Sequence, residues 1–171
     1  AALNALLEIQ QPNDKVSQTC QYLRYQLAVD AFLQDKMNDV LKWSSEVIEK
    51  EMNESEYKTE AYYLCAQAYY RLHQYPQAIE KIELYQKQKN ISQSNNQKSA
   101  IYLKAYALFN QKDYTAANTL YREYVTMLAG ETNSTTYPDA LNRLGDCLFH
   151  ERKFQEAIDV YSQVAELKAF G

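Results

Sequence analysis

The fold of this chain is decided by residues 141–157, which read LNRLGDCLFHERKFQEA. The first nine positions carry apolar or small residues at the three- and four-residue spacing of one helix face, at Leu141, Leu144, Gly145, Leu148 and Phe149. Phe154 and Ala157 then stand where a second helix begins. The stretch therefore predicts two helices joined by a tight turn, with Gly145 permitting their close approach.

The same landmarks recur in register along the chain. Anchor alanines stand at Ala78, Ala117 and Ala157, 39 and 40 residues apart, and Val40 marks a fainter copy 38 residues before Ala78. Twelve residues before each anchor is a small residue, and three residues before it is a bulky apolar one. The small residues are Ala28, Ala66, Ala105 and Gly145, and the bulky ones are Met37, Tyr75, Tyr114 and Phe154. A period of about 39 residues indicates stacked helical hairpins.

Four hairpins are predicted from this register. Pro76 and Pro138 stand at helix starts, where the missing N–H of proline costs nothing, and the sequence has no strand-like alternation. Polar stretches at 90–97 and 130–136 predict connecting loops. The predicted helix pairs are 16–34 with 37–51, 55–72 with 76–89, 97–111 with 114–129, and 137–152 with 155–168. Residues 1–12 are predicted to form a half-repeat helix, because Ala2 lies 38 residues before Val40.

These landmarks resemble the tetratricopeptide repeat, whose unit is marked by a small residue in the first helix, an aromatic residue at the turn and an alanine in the second helix. The resemblance implies an all-α, right-handed superhelical solenoid of antiparallel helix-turn-helix repeats. It implies one domain over residues 1–171, part of a longer array, with repeats at 15–51, 55–89, 97–129 and 137–168. The first copy departs from the family pattern at Arg24 and Ser44, where apolar residues are usual.

The repeat is longer than the family's usual period of about 34 residues. In this respect, and in phrases such as Tyr137-Pro138-Asp139-Ala140, the chain is similar to envelope proteins of Gram-negative bacteria, such as barrel-assembly and Tol-Pal-associated lipoproteins. That resemblance implies a periplasmic or cell-envelope location in a bacterium. The residues by themselves leave a cytoplasmic location open.

Composition excludes several classes of function. The three glycines are scattered, so the chain has no phosphate-cradling loop of a P-loop or dinucleotide-binding enzyme. A net charge of −4 gives no general attraction to nucleic acid or anionic lipid. No apolar run reaches the roughly 20 residues of a membrane span. Cys20, Cys65 and Cys147 lie too far apart for a zinc site or a disulfide framework, and they are predicted to be buried thiols.

Candidates for catalysis are few. His73 and His150 lie two repeats apart, too far to share a metal ion or a proton. His150 has Asp146 four residues before it, a pairing that is common on any helix surface. Cys147 has no basic neighbour placed to lower its pKa, so it is interpreted as a structural thiol rather than a nucleophile. The sequence therefore predicts no enzyme activity, no cofactor and no metal site.

Tyrosine is the outlier of the composition, at 16 of 171 residues. In tetratricopeptide proteins the face of the first helix turned away from its hairpin partner lines a concave groove that holds extended peptides, and the residues 18, 15, 11 and 8 before each anchor belong to that face. Tyrosine suits such a surface because its ring is large and rigid and has a polar tip. The resemblance implies that a protein or peptide partner binds at Tyr22, Tyr25, Tyr63, Gln67, Tyr70, Tyr102, Tyr106, Phe109, Asn142, Asp146 and Phe149.

Two alternatives to an open groove follow from the same residues. The rings can pack between adjacent hairpins, an interpretation that applies most to Phe32, Tyr70, Phe109 and Phe149. The array can also be a spacer or self-assembling element of a larger envelope complex, with uncapped ends that dock onto further repeats. A clamp for a C-terminal carboxylate, as in the chaperone-binding members of the family, is disfavoured because Arg143 is the only groove-facing cation among the matching positions.

Overall fold

A computed structural model describes residues 2–9, 13–50, 56–128 and 134–169, and all regular structure within these ranges is helical. The chain divides into two compact units, Ala1–Asn95 and Asn96–Gly171. Each unit is built from antiparallel helix hairpins. We call the first helix of a hairpin its A helix and the second its B helix.

The N-terminal unit contains two hairpins. Helices α2 and α3 form the first hairpin and α4 and α5 the second, while α4 also packs against both α2 and α3 and α1 packs against α2. A 3-10 turn follows α5 and contacts α4. The bounds are α1 Ala2–Leu7, α2 Asp14–Leu33, α3 Met37–Glu49, α4 Glu56–Arg71, α5 Tyr75–Gln86, and Lys89–Gln93 for the 3-10 turn.

The C-terminal unit also contains two hairpins. Helices α6 and α7 form one, α8 and α9 form the other, and α8 packs on α7. The bounds are α6 Gln97–Asn110, α7 Tyr114–Met127, α8 Thr136–His150 and α9 Phe154–Ala169. All four predicted hairpins are therefore present, and the B helices of all four begin at the predicted bulky residues Met37, Tyr75, Tyr114 and Phe154.

Every hairpin turn has the same backbone conformation. Two residues after the end of each A helix lies a residue with a left-handed φ between 58° and 65°, and two hydrogen bonds at this point reach back into the helix. In the third hairpin Lys112 N–H donates to the Phe109 carbonyl at 2.9 Å, and Asp113 N–H donates to the Leu108 carbonyl at 3.0 Å. This pattern is a Schellman motif, which satisfies the last carbonyls of the helix. The left-handed residues are Asp35, His73, Lys112 and Arg152, none of them glycine.

The small residues of the repeat lie where the two helices of a hairpin cross. The anchors Val40, Ala78, Ala117 and Ala157 are buried, as are Ala28, Ala66 and Ala105 of the A helices. Gly145 shows why: a Cβ added there would meet the ring of Tyr161 on α9, with Cδ1 2.8 Å away. The spacing of small and bulky residues in the sequence thus reports a real close approach between paired helices.

The polar residues at which the first repeat differs from the family pattern are buried. Arg24 of α2 is 6% exposed, and its Nε donates to Oε2 of Glu46 on α3 at 3.2 Å. Ser44 of α3 is fully buried. The family's apolar contact is therefore replaced here by a paired guanidinium and carboxylate.

The structure differs from the prediction mainly at the connections. The predicted loop at 90–97 overlaps the 3-10 turn, and α8 begins at Thr136, inside the predicted loop 130–136. The predicted half-repeat helix over residues 1–12 is shorter in the structure, where α1 ends at Leu7. Residues 10–12 lie outside the described ranges, as do 51–55 and 129–133 at predicted helix ends. The prediction that residues 1–171 form a single domain stays a prediction.

Candidate interaction surface

The A helices of the C-terminal unit are joined by a seam of aromatic and charged side chains. The hydroxyl of Tyr102 on α6 donates to Asp139 on α8. Arg143 on α8 donates from Nε to the hydroxyl of Tyr106 at 3.0 Å, and its guanidinium lies 5.2 Å from the Tyr106 ring centre and 5.5 Å from that of Phe109. The predicted groove residues of α6 and α8 are thus brought together. We call this surface the aromatic seam, formed by Tyr102, Tyr106, Phe109, Asp139, Asn142, Arg143 and Asp146.

Buried tyrosines of α7 pack against the Tyr102 ring of the aromatic seam. The Tyr102 ring lies 4.9 Å from that of Tyr124 and 6.2 Å from that of Tyr121, both of which are buried. Burial raises the pKa of Tyr102 above its usual range, and its hydrogen bond to Asp139 raises that pKa further. Burial likewise raises the pKa of Tyr121. These phenols are therefore neutral at physiological pH, and the seam is fixed by hydrogen bonds and ring contacts.

The charge of Arg143 is compensated within the seam. Asp146 Oδ2 accepts from the guanidinium at 3.2 Å, and Asp139 Oδ1 lies 3.9 Å from it. Asp146 also accepts a hydrogen bond from the hydroxyl of Tyr161 at 2.7 Å. Two carboxylates therefore surround one guanidinium, an arrangement that does not offer Arg143 to an incoming carboxylate.

The N-terminal unit has its own tyrosine cluster on α2 and α4. Tyr22, 44% exposed, and the half-buried Tyr25 both face the ring of Tyr57, with ring centres 5.8 Å and 5.5 Å apart. Tyr57 is absent from the predicted site because it lies 21 residues before its anchor, one turn beyond the four positions that define the groove face. If the predicted groove face is extended by one helical turn toward the start of the A helix, it includes Tyr57.

Tyr63 lies in the core, and this corrects its prediction as an exposed groove residue. It is 7% exposed, and its ring centre lies 5.6 Å from that of Tyr85, which is fully buried on α5. Burial raises the pKa of Tyr85 to about 12. Gln67 and Tyr70 on the same helix are half-buried, and Tyr70 contacts Tyr75 at 5.8 Å between ring centres.

Phe149 also differs from the interpretation that it packs between hairpins. The ring is 55% exposed and lies 5.4 Å from the ring of Phe154, between centres. Its counterpart Phe109 is half-buried against Tyr114 of α7 and the guanidinium of Arg143. Asn142, the remaining predicted residue on α8, is half-buried in the seam.

Cys147, Asp146 and His150, which the sequence analysis considered for catalysis, all make contacts within the C-terminal unit. Burial raises the pKa of the Cys147 thiol to about 12, with the nearby carboxylates of Asp146 and Glu151 adding to the effect, so the thiol is protonated at neutral pH. Asp146 binds Arg143 and Tyr161, while His150 stacks on the ring of Tyr114 at 3.9 Å. The predicted burial of all three cysteines is confirmed, and they are free thiols.

Metal-binding clusters and membrane-spanning helices are both absent from the described residues. In the ranges that the structure describes, no group of three or more His, Cys, Asp or Glu side chains is placed to hold a metal ion. None of the described helices combines the length and the apolar character required to cross a lipid bilayer.

Comparison with known proteins finds a family match in the C-terminal part of the chain. A family profile described as Tetratricopeptide repeat matches residues 102–171. The tetratricopeptide resemblance is confirmed. The tetratricopeptide match begins at Tyr102 on α6 and continues through α7, α8 and α9, so it contains the whole aromatic seam. No curated protein matches the sequence.

Several solved structures share the fold. MamA from Desulfovibrio magneticus is 15% identical with a TM-score of 0.70, over 98% of this chain and 84% of that one. The TPR-like repeats of a putative kinesin light chain from Podosopora anserina are 15% identical with a TM-score of 0.69, over 98% and 82%. The Rap conjugation gene regulator of plasmid pLS20, solved in complex with the Phr* peptide, is 13% identical with a TM-score of 0.61, over 93% and 46%.

At sequence identities of 13–15%, the structural similarity shows that the fold is shared and no more. The predicted fold class, an all-α solenoid of antiparallel tetratricopeptide-like hairpins, is confirmed. The narrower resemblance to bacterial envelope proteins stays a prediction.

Proposed function

We propose that this chain is a non-enzymatic scaffold that binds a protein or peptide partner through the A-helix faces of its tetratricopeptide hairpins. The observation that carries the proposal is the aromatic seam, in which Tyr102, Tyr106 and Arg143 are held by hydrogen bonds between two A helices. A surface that is fixed before binding loses little side-chain entropy when a partner arrives.

The groups offered by the seam suit an extended peptide. Tyrosine ring faces accept apolar side chains, and the half-exposed carboxylates of Asp139 and Asp146 accept hydrogen bonds from backbone N–H groups. A structure with the same fold, the Rap regulator, was solved with a peptide bound, which supports this mode for the fold. The compensated charge of Arg143 argues against a ligand recognised by a terminal carboxylate.

The tyrosine cluster of the N-terminal unit is proposed as a second contact surface. Tyr22 is exposed, and its ring already rests on Tyr57, so a bound side chain would contact a rigid pair of rings. Tyr63 has no part in the proposal because it is buried.

Selection from a random peptide library tests the proposal directly. Phage-displayed random peptides would be selected on the purified chain, and the dissociation constant of each selected peptide measured by fluorescence anisotropy. Tyr106→Ala is expected to weaken binding by about 1–3 kcal/mol, because a central aromatic contact is removed. Tyr106→Phe keeps the ring and separates the contribution of the hydroxyl from that of the aromatic face.

Glu123→Ala is the matched control, because Glu123 is exposed on α7, a B helix. It is expected to leave affinity unchanged, and circular dichroism should show the helix content of every variant preserved. Selected peptides that bind Tyr106→Ala as tightly as the wild-type chain would contradict the assignment of binding to the seam.

Two predictions from the sequence stay open beside this proposal. A cell-envelope location follows only from the resemblance in repeat length and in short sequence phrases. A spacer or self-assembling role would be distinguished by oligomers that grow with protein concentration when no peptide is present.

A further inference from the structure

A cleft lies between the first and second hairpins of the N-terminal unit, where the end of α4 lies beside the start of α3. Its volume is about 810 Å³, a size typical of binding pockets. Met37 and Leu72 form its apolar part, and Asp35, Asp39 and Arg71 bring charged groups to it. We call it the turn cleft. It lies between two consecutive repeats rather than at an end of the chain.

The corresponding place in the C-terminal unit is filled by an aromatic ring. Tyr114 holds the repeat position of Met37, and His150 holds that of Arg71. The His150 ring stacks on the Tyr114 ring with centres 3.9 Å apart and an interplanar angle of 2°. A planar ring therefore fits against the first residue of a B helix in this repeat.

Two residues of α8 cover the hairpin before it. Arg143 lies over the Phe109 ring, which leaves His150 free to stack on Tyr114. The residue of α4 at the repeat position of Arg143 is Leu64, which is buried and has no charge to offer. In the N-terminal unit, therefore, another residue has to cover the phenylalanine.

Arg71 covers the phenylalanine of the N-terminal unit. Its guanidinium lies 4.3 Å from the ring centre of Phe32, and its Nη1 donates to Asp35 Oδ1 at 2.8 Å. One arginine thus takes the role that Arg143 has in the other unit. The place over Met37, where the other unit has a stacked ring, is consequently open as the turn cleft.

We propose that the turn cleft binds a tyrosine side chain of a partner protein. The tyrosine ring stacks on the Arg71 guanidinium and lies over Met37 and Leu72, and its hydroxyl donates to the carboxylate of Asp39. This surface is separate from the aromatic seam, and the proposal does not depend on the seam binding a peptide.

The lining of the turn cleft suits an aromatic ring. The Arg71 side chain is 45% exposed although one face of its guanidinium lies on Phe32, so the other face is open to a second ring. The same contact already exists in the seam, where the Arg143 guanidinium lies 5.2 Å from the ring centre of Tyr106. The thioether of Met37 adds a favourable contact with an aromatic ring.

Asp39 favours tyrosine over phenylalanine. It is exposed, and within the described ranges no side chain donates a hydrogen bond to its carboxylate. Lys36, the second cation at the cleft, donates instead to Gln34 Oε1 at 2.7 Å. The third hairpin has Ala116 at the position of Asp39, so this acceptor belongs to the turn cleft and not to the repeat in general.

Bonds between tyrosine and aspartate recur in this protein. Tyr102 donates to Asp139, and Tyr161 donates to Asp146. A hydrogen bond from a phenol to a carboxylate is charge-assisted, which makes it stronger than one between neutral groups. The turn cleft offers the guanidinium and the carboxylate of such a contact, and the partner supplies the phenol.

The probe is the peptide acetyl-GSYSG-amide, with acetyl-GSFSG-amide and acetyl-GSLSG-amide as comparisons. Each would be titrated into the full chain labelled with ¹⁵N and with ¹³C at the methionine methyl groups. A dissociation constant on the order of 1 mM is expected for a single tyrosine side chain. The Met37 methyl signal should shift, whereas that of Met127, 42% exposed on α7, should not.

Two variants test the two contacts separately, with affinities measured from the amide signals of the cleft. Arg71→Gln is expected to weaken both aromatic peptides about threefold to tenfold, because it removes the cation under the ring. Asp39→Ala should weaken the tyrosine peptide to the level of the phenylalanine peptide and leave the latter unchanged. Arg122→Gln is the matched control, since Arg122 is a similarly exposed arginine paired with Glu156 in the other unit.

A third variant closes the cleft. Met37→Tyr with Arg71→His copies Tyr114 and His150 of the C-terminal unit, so a ring of the chain itself should fill the site. Binding of the tyrosine peptide should be lost while circular dichroism shows the helix content preserved. If this variant does not fold, the two single variants above still decide the proposal.

The proposal is overturned by any of four results. These are no shift of the Met37 signal with the tyrosine peptide at about 10 mM, equal affinity for the tyrosine and leucine peptides, unchanged affinity in Arg71→Gln, and cleft signals that change with protein concentration when no peptide is present. The last result would place a second copy of the chain in the cleft. Tyr106→Ala separates the two proposals, because it should weaken the peptides selected for the seam and leave binding at the turn cleft unchanged.

Discussion

Gly145 of α8 lies directly against the ring of Tyr161 on α9, so close that a methyl group on Gly145 would meet ring carbon Cδ1 at 2.8 Å. The two residues occupy the positions that hold Ala66 and Ile82 in the second repeat, both fully buried. In these two hairpins the sizes of the paired positions compensate each other, with glycine opposite tyrosine in one and alanine opposite isoleucine in the other.

Replacing Gly145 by alanine is expected to destabilise the chain. The added methyl group forces the Tyr161 ring to move, which costs about 1–3 kcal/mol, and this outweighs the gain in helix propensity of about 1 kcal/mol. The free energy of unfolding would be measured with urea. Adding Tyr161→Ile, which copies the second repeat, should restore stability. If Gly145→Ala alone were more stable than the wild-type chain, the Tyr161 ring would have to move freely.

Replacing Lys112 by glycine is expected to stabilise the chain. Lys112 has φ 65° in the Schellman motif of the third hairpin and is exposed. Glycine adopts this conformation without the Cβ clash, but it also increases the entropy of the unfolded chain. We expect the free energy of unfolding to rise by a net amount of about 0.5–1 kcal/mol. Lys112→Val is the opposing control, because a β-branched residue is strained there. A melting temperature that falls with Lys112→Gly would refute the argument.

Glu46→Gln is expected to lower the free energy of unfolding by about 2–4 kcal/mol. The variant leaves the guanidinium of Arg24 buried without a counter-charge. The control is Glu156→Gln, which breaks the exposed pair between Glu156 and Arg122 and should cost less than about 1 kcal/mol. The double variant Arg24→Met with Glu46→Met should recover most of the loss. Similar costs for the buried and exposed pairs would show that Arg24 remains hydrated.

Stability is expected to fall as pH rises above about 10. Burial raises the pKa of Tyr85 to about 12, whereas an unfolded tyrosine titrates near 10. Between these values the unfolded chain has released a proton that the folded chain keeps, so the free energy of unfolding decreases with pH. As the pH approaches 12, Tyr85 alone lowers the free energy of unfolding by an amount on the order of 1–2 kcal/mol.

Urea unfolding at pH 8, 10 and 11 measures this loss. Tyr85→Phe should make the profile less steep, while Tyr102, Tyr121 and Cys147, whose pKa values burial also raises, keep part of the pH dependence. Ser94→Ala is the control: it removes the hydrogen bond that the Tyr85 hydroxyl donates at 2.6 Å but keeps the buried phenol, so its pH dependence should persist. A profile of Tyr85→Phe as steep as that of wild type would assign the loss to other residues.

Much of the fold was predictable because its contacts are local in sequence. Each helix packs on neighbours within about one repeat of it, so the spacing of small and bulky residues carries most of the information about the hairpins. The starts of the B helices at Met37, Tyr75, Tyr114 and Phe154 were predicted to within one residue. The left-handed turn residues carried no signal, since none of them is glycine.

The candidate site was less predictable, because exposure depends on the neighbours rather than on the position in the repeat. Tyr63 and Tyr102 hold the same repeat position, yet Tyr63 is buried against Tyr85 whereas Tyr102 is half-buried and bonds Asp139. Tyr57 joins its cluster from a position one turn outside the expected face. No periodicity specifies which ring is covered by which side chain.

The sequence by itself determined the helical hairpins, their order and their register, because a helix pair must bury one face and small residues must lie where the two axes cross. Tertiary structure alone decided which aromatic rings are exposed, that two carboxylates compensate the charge of Arg143, and that Phe149 is exposed while Phe109 is covered. The physical reason is that burial and charge compensation come from side chains of a neighbouring helix, which a pattern along one helix does not contain.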